Sequence, residues 1–382
     1  MRKIWSISTA FGVTALIIGG AAAVAWSPGA PDASAAENAA AQVLAADSLG
    51  VDGGTGRGGR GGAGSGAADA AGAAADEAAA SAAFDLQSHR GGRGEWTENS
   101  LHAFTRSLEL GVSTLELDTR LTGDGAVIVW HDTVMTAGKC ADTAPVVPDD
   151  ADFPYAGSAV ASLSLAQIQT LDCGYQQLSG YPEQVNQPGS RIVQLADVFD
   201  LLEDRAAEGV RLNVETKVVE PGSAEMRAHT RAVVDLIGSS GLAGRVTLQS
   251  FDWASLTLAQ RLAPGLELVA LANGESWLQT GQPGASPHLG GLDIDDFGGS
   301  VAHAAAALGF DALSPTYSTV TAQMIDDAHG LGLTVVPWTV SEPALMHALM
   351  DLGVDGLITD YPTRLRTVMA ERGLDLPLGV TR

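Results

Sequence analysis

The chain has 382 residues, a formal net charge of −24 and a pI near 4.5. That acidity excludes a broad nucleic-acid or anionic-membrane footprint, which needs clustered lysine and arginine. The length admits one large α/β barrel or two smaller domains.

In chain order, Met1-Arg2-Lys3 is a short basic start and Ile4 to Trp26 is apolar. Ala33-Ser34-Ala35 follows in the small-residue form that a signal peptidase accepts, so residues 1–35 are expected to be an export signal. An uncleaved anchor is the competing reading, and either one places the rest of the chain outside the cytoplasm. Residues 36–82 are nearly all alanine and glycine with scattered charges. Such a tract has too little bulky apolar surface to offset its ordering entropy, and it reads as a disordered linker.

From residue 83 to 382 short apolar runs alternate with helical patterns, which is the signature of β/α units around a parallel sheet. Strands are predicted near 85–89, 114–118, 211–216, 246–250, 266–271, 312–314, 334–338 and 356–359. Apolar residues three and four apart predict helices between them: Leu101, Phe104 and Leu108 before Gly111; Met324, Ile325 and Ala328 before Gly330; Leu345, Leu349 and Leu352 before Gly353. Eight such units predict a closed (β/α)8 barrel. Two stretches break the repeat. Leu121 to His131 turns at Asp124-Gly125, so the second strand is expected to pass the rim and return as a hairpin with His131 beside Asp118. Residues 132–190, rich in Pro, Gly and Asp, are expected to form an insertion over the same C-terminal face. Both cysteines, Cys140 and Cys173, lie in it, and in an exported chain such a pair reads as one disulfide.

Barrel enzymes gather their functional groups at the C-terminal ends of the strands. Here those ends carry His89-Arg90, Glu116-Leu117-Asp118, Glu215-Thr216-Lys217, Gln249-Ser250-Phe251, Pro337-Trp338-Thr339 and Thr359-Asp360. Strand residues two apart face one side, so Glu116 and Asp118 project together into the mouth, as do Glu215 and Lys217. Three converging carboxylates repel one another unless a hard divalent cation neutralises them. Taken singly, each acid is better read as half of a rim salt bridge. His89 and His131 have the side chain whose charge changes near neutral pH, which suits a general base and a general acid. Arg90 offers a planar fork and Lys217 a point charge for phosphoryl oxygens. Trp338 is counted as a substrate-binding residue, whereas His102, His229, His303 and His347 sit in helical patterns and read as packing or surface residues.

The ordered set His89-Arg90-Gly91, Glu98-Asn99-Ser100, Glu116-Leu117-Asp118, Asp124-Gly125 and His131-Asp132 resembles the glycerophosphodiester phosphodiesterase family in both order and spacing. Glu215-Thr216-Lys217, Ser250-Phe251, Trp338-Thr339-Val340 and Thr359-Asp360-Tyr361-Pro362 continue the match to about residue 370. The resemblance implies that Glu116, Asp118 and Glu215 are metal ligands, that His89 and His131 are the acid–base pair, and that Arg90 and Lys217 hold the phosphate. Thr97, Gly123 and Ser341 depart from the family's usual proline, lysine and asparagine without removing any of these groups. The expected reaction is metal-dependent hydrolysis of glycerophosphodiesters to sn-glycerol 3-phosphate and an alcohol. Calcium is expected over magnesium, since export exposes the site to calcium and an all-carboxylate site tolerates its irregular geometry. The alternatives are a phospholipase D-like enzyme on lysophospholipid or sphingomyelin, and a non-catalytic cell-surface barrel.

Overall fold

The computed structural model describes residues 83–380; the expected export signal and linker lie outside the described residues. The strands are β1 (Asp85–Ser88), β2 (Thr114–Leu121), β3 (Val127–Val129), β4 (Arg211–Thr216), β5 (Val246–Ser250), β6 (Glu267–Ala272), β7 (Ala312–Pro315), β8 (Thr334–Val335) and β9 (Gly356–Thr359). The helices of the outer ring are α1 (Leu101–Leu110), α2 (Leu195–Asp204), α3 (Ala224–Ser239), α4 (Trp253–Leu262), α5 (Val301–Ala307), α6 (Ala322–Gly330), α7 (Pro343–Leu352) and α8 (Pro362–Glu371). Apart from β3, the strands run parallel in the order β8-β7-β6-β5-β4-β2-β1-β9, an almost closed eight-stranded barrel.

The last seam is closed by single bonds in place of a ladder. The Asp355 N–H donates to the Val335 carbonyl, Ile358 to Pro337, and Val340 to Ile358, at 3.0, 3.0 and 2.9 Å. The predicted strand 334–338 is regular only at Thr334–Val335, because Pro337 has no N–H to give to a ladder. Past it the chain still follows β7, with the Trp338 N–H donating to the Pro315 carbonyl at 3.1 Å.

Alternation along the strands explains both faces of the wall. Leu86, Leu115, Leu117, Leu212, Val214 and Leu248 are buried in the main hydrophobic core. The alternate residues form a polar barrel interior, stacked in layers. Lowest is Asp85, which accepts from Thr114 Oγ1 at 2.8 Å and Gln87 Nε2 at 2.7 Å. Above it Asn213 donates to Gln87 and Gln249 at 2.9 and 3.0 Å, and the Thr247 hydroxyl donates back to Asn213 at 3.0 Å. Every buried polar group there has a partner, which keeps such an interior affordable.

The hairpin forms as expected. Strand β3 pairs antiparallel with β2, Gly125 takes the positive φ of 87° that the turn requires, and the Trp130 N–H donates to the Asp118 carbonyl at 3.0 Å. The insertion buries a second core of its own around Trp130, Met135, Cys140, Tyr155, Ile168 and Leu171. Cys140 and Cys173 are joined in a disulfide inside that core. Among the described residues, no helix is long and apolar enough to cross a membrane.

Candidate active site

The top layer of the barrel interior is acidic. Glu116 and Asp118 on β2 and Glu215 on β4, which pairs with Asp118 in register, place one carboxylate oxygen each within 4.8 Å of the others, all buried. Their ionisation is uneven. Burial and the neighbouring Asp118 and Glu215 charges push Glu116 well above the usual carboxylate range. Burial likewise raises Glu215, against the pull of Lys217. Burial works against the Asp118 charge too, but Arg90, His131 and Lys217 outweigh it and hold Asp118 well below its ordinary value. Two of the three carboxylates are thus held back from ionising, by burial first and by the Asp118 charge after it. Asp118 Oδ1 is buried with no hydrogen-bond partner among the described residues. An oxygen-only donor set with an unused buried lone pair fits a hard divalent cation.

Gln249 braces the set from below, its Nε2 donating to Glu116 Oε1 at 2.7 Å. From above, the turn after β1 folds back over it. Arg90 adopts φ 53°, a left-handed conformation that costs an L-residue energy and is found where the surroundings over-determine it. Here its N–H donates to Glu116 Oε2 at 3.0 Å, and its guanidinium meets Asp118 at 2.9 Å and Glu98 at 3.5 Å. Gly91 lets that turn sit against α1, since a Cβ there would lie 2.9 Å from the Ala103 Cβ. Burial opposes the Arg90 charge, but Asp118, Glu98 and Glu116 more than compensate and raise its pKa. Lys217 Nζ stands 2.8 Å from Glu215 and 3.7 Å from Asp118.

The two histidines flank this layer, each backed by an aspartate. His89 Nδ1 lies 2.5 Å from Asp360 Oδ1, and His131 Nδ1 lies 2.8 Å from Asp132 Oδ1. Both aspartates are held below their ordinary value despite burial: the His89 charge is the leading cause for Asp360, and the hydrogen bond to His131 leads for Asp132. Ionised carboxylates only accept, so each imidazole carries its proton on Nδ1 and has its Nε2 lone pair free. His89 Nε2 is 3.9 Å from Glu116. Burial, then Arg90, lowers the pKa of both rings; that of His131 falls to about 3. Both are therefore neutral at pH 7.

The structure thus brings together His89, Arg90, Glu116, Asp118, His131, Glu215 and Lys217. Trp338 is set further out, on the rim, where its indole N–H donates to the Ser314 carbonyl at 3.0 Å and its ring meets Phe251 edge-on at 5.2 Å. Phe251 in turn lies under Lys217 Nζ at 5.7 Å. His303 is exposed on the helical ring and His102 and His347 are half-buried on α1 and α7, while His229 is buried and bonds Thr119 Oγ1 at 3.1 Å. Sequence reasoning gave no role to Asp360, Gln249, Glu98 or Lys139. Asp360 and Gln249 stand at strand ends and carried a positional signal. Glu98 binds Arg93, Lys139 and Arg90 at 2.7, 2.8 and 3.5 Å. Lys139 descends from the insertion to meet both Glu98 and, at 2.9 Å, Asp132; nothing in its neighbourhood along the chain announces it.

A (β/α)8 barrel with a three-carboxylate cluster and two aspartate-backed histidines at its C-terminal mouth has the equipment of a metal-assisted hydrolase. The model of the glycerophosphoryl diester phosphodiesterase family matches residues 89–364, and the chain belongs to that family. A glycerophosphodiester phosphodiesterase of Caldanaerobacter subterraneus subsp. tengcongensis is 27% identical over 292 residues, covering 75% of this chain and 98% of that protein. A solved Silicibacter pomeroyi protein, assigned as a glycerophosphoryl diester phosphodiesterase, superposes with a TM-score of 0.65 at 29% identity, covering 77% of this chain and 96% of that one. An Oleispira antarctica phosphodiesterase, solved in complex with the product sn-glycerol 3-phosphate, shares the fold with a TM-score of 0.56 at 20% identity, covering 76% of this chain and 99% of that one.

Proposed function

We propose that the chain hydrolyses glycerophosphodiesters to sn-glycerol 3-phosphate and an alcohol, with a divalent cation held by Glu116, Asp118 and Glu215. The observation that carries this is the buried three-carboxylate cluster flanked by two neutral, aspartate-oriented imidazoles. The family match and the product bound by the Oleispira relative support the same substrate class. When bound, the cation supplies positive charge against which a phosphoryl oxygen and a hydroxyl are polarised.

The chain's own residues then have divided tasks. Lys217, and Arg90 where its fork is not spent on Asp118 and Glu98, add positive charge where negative charge grows on the phosphoryl oxygens. One imidazole takes the proton of the attacking hydroxyl on Nε2; the imidazole on the leaving-group side must first take up a proton from solvent on its Nε2 and passes it to the departing alkoxide, and the base then returns its proton to solvent. Asp360 and Asp132 fix which nitrogen is free to do so. Phe251 and Trp338 form an aromatic wall beside Lys217.

Release of sn-glycerol 3-phosphate from glycerophosphocholine should stop on treatment with chelator and return with calcium more than with magnesium. Glu116→Gln and Glu215→Gln should lower kcat at least a thousandfold while the thermal transition is kept. Turnover that survives both chelator and these variants would dismiss the cation site. The reading extends to the ends of the chain: residues 1–35 export it and residues 36–82 link it, which the Cys140–Cys173 disulfide supports because such bonds persist in oxidising compartments.

A further inference from the structure

Beside the catalytic layer, between the β2–β3 hairpin and the start of α3, lies a cavity of about 210 Å³ lined by Arg120, Thr133, Lys217, Glu225, Met226 and His229 among others. We propose that this cavity is a subsite for a carboxylate carried by the alcohol half of the diester, so that serine-type head groups are preferred over ethanolamine. The inference rests on the diesterase reading above and specifies its substrate.

Arg120 is the reason. It stands two residues beyond Asp118 on β2, on the same face of the strand and past the barrel rim, and is only 8% exposed. Its Nε donates to the His131 carbonyl at 2.8 Å, and its terminal nitrogens have no hydrogen-bond partner among the described residues. Nor does any carboxylate among those residues approach it within 4.0 Å, the range in which Arg90 finds two. A guanidinium has five N–H donors, so most of Arg120's capacity is unspent on the cavity wall. An incoming anion would supply the missing partner.

The rest of the lining sets the kind of anion. His229 is neutral, pushed down to about 3 by burial and then by Arg120, and Lys217 is already paired with Glu215. Arg120 is therefore the uncommitted cation, with the Thr133 hydroxyl on the same cavity wall and the Glu225 carboxylate exposed at its edge. One planar fork beside one carboxylate suits a zwitterion, carboxylate to Arg120 and ammonium to Glu225. The cavity also abuts the chemistry. Lys217 lines it and reaches Glu215 in the acidic layer, Arg120 holds the His131 carbonyl, and Thr133 follows His131 by two residues. Lys217 is the lining residue that the cavity shares with the catalytic site.

Serine and ethanolamine differ by one carboxylate, so glycerophosphoserine and glycerophosphoethanolamine form a matched pair. Wild-type kcat/KM should favour the serine diester by about ten- to hundredfold, the effect of a charge-assisted, bidentate contact. Arg120→Gln should bring that ratio close to one, Arg120→Lys should keep part of it, and Thr133→Val should reduce it a few fold. Calorimetric binding of the two diesters to cation-loaded protein carrying His131→Ala should show the same preference without turnover, and its loss when Arg120→Gln is added. Equal kcat/KM for both diesters in the wild type, or an Arg120→Gln variant that slows both alike, would overturn the subsite and leave Arg120 as a prop for the His131 backbone. If neither diester is turned over, the diesterase reading fails, and the calorimetric ratio alone then upholds or overturns the subsite.

Discussion

At the scale of single residues, the aspartates behind the histidines are the most informative. Asp360 holds the His89 proton on Nδ1, whereas an asparagine can donate from its amide and favour the other tautomer. Asp360→Asn should therefore lower kcat on glycerophosphocholine by about 10²–10⁴-fold, the usual worth of a positioned acid or base, with little change in folding. Near-normal kcat would mean that His89 does not transfer the proton. The two histidines can be told apart by the leaving group. A nitrophenolate departs without protonation, so whichever alanine variant, His89→Ala or His131→Ala, has lost the general acid should recover substantially on a nitrophenyl diester, and the other should not. Equal defects for both variants on both substrates would assign the rings to positioning alone.

At the scale of elements, Lys139 is one side chain by which the insertion reaches the site. Lys139 precedes the buried, disulfide-bonded Cys140, and its Nζ joins Asp132, the partner of His131, to Glu98, the partner of Arg90 and Arg93. Closing a 33-residue separation should stabilise the insertion by about 3–4 kcal/mol on the loop-entropy estimate. Reduction and alkylation should lower the denaturant midpoint accordingly and slow turnover as Lys139 loses its footing. Lys139→Met should cost about 10–100-fold in kcat with the disulfide intact, as loss of an outer supporting group does elsewhere. Unchanged kcat in both experiments would make the insertion a passive cover. The same element shows where sequence reasoning stops. Strand ends, the hairpin turn and the alternation that aims Glu116, Asp118 and Glu215 inward are local, and a period of two or a turn residue reveals them. Lys139 meets Glu98 across 41 positions and Gln249 meets Glu116 across 133, and no local pattern encodes such a meeting. The second core was hidden for the same reason, because Trp130, Tyr155 and Leu171 are scattered among Pro, Gly and Asp and carry no period.

At the scale of the molecule, the acidic layer should couple folding to pH and, if it holds one, to a cation. Glu116 has its folded pKa raised above the ordinary 4.5, by burial and then by its acidic neighbours. Its contribution to stability is therefore present below that ordinary value and lost as pH rises through the folded one, because the unfolded chain releases its proton first. A cation that needs the carboxylate ionised reverses the trend. The gain in melting temperature on adding calcium should grow from about pH 4.5 upward, and Glu116→Gln should flatten that growth. A calcium gain independent of pH would remove Glu116 from the ligand set.

The chain enters and leaves the barrel at one end. All eight parallel strands start at the base, β1 begins at Asp85 beside Gly356 of β9, and the closing residues return to the same place, where the Val380 N–H donates to the Leu108 carbonyl near the end of α1. The mouth is at the opposite pole. An attachment made at the base would leave the mouth of the barrel unobstructed.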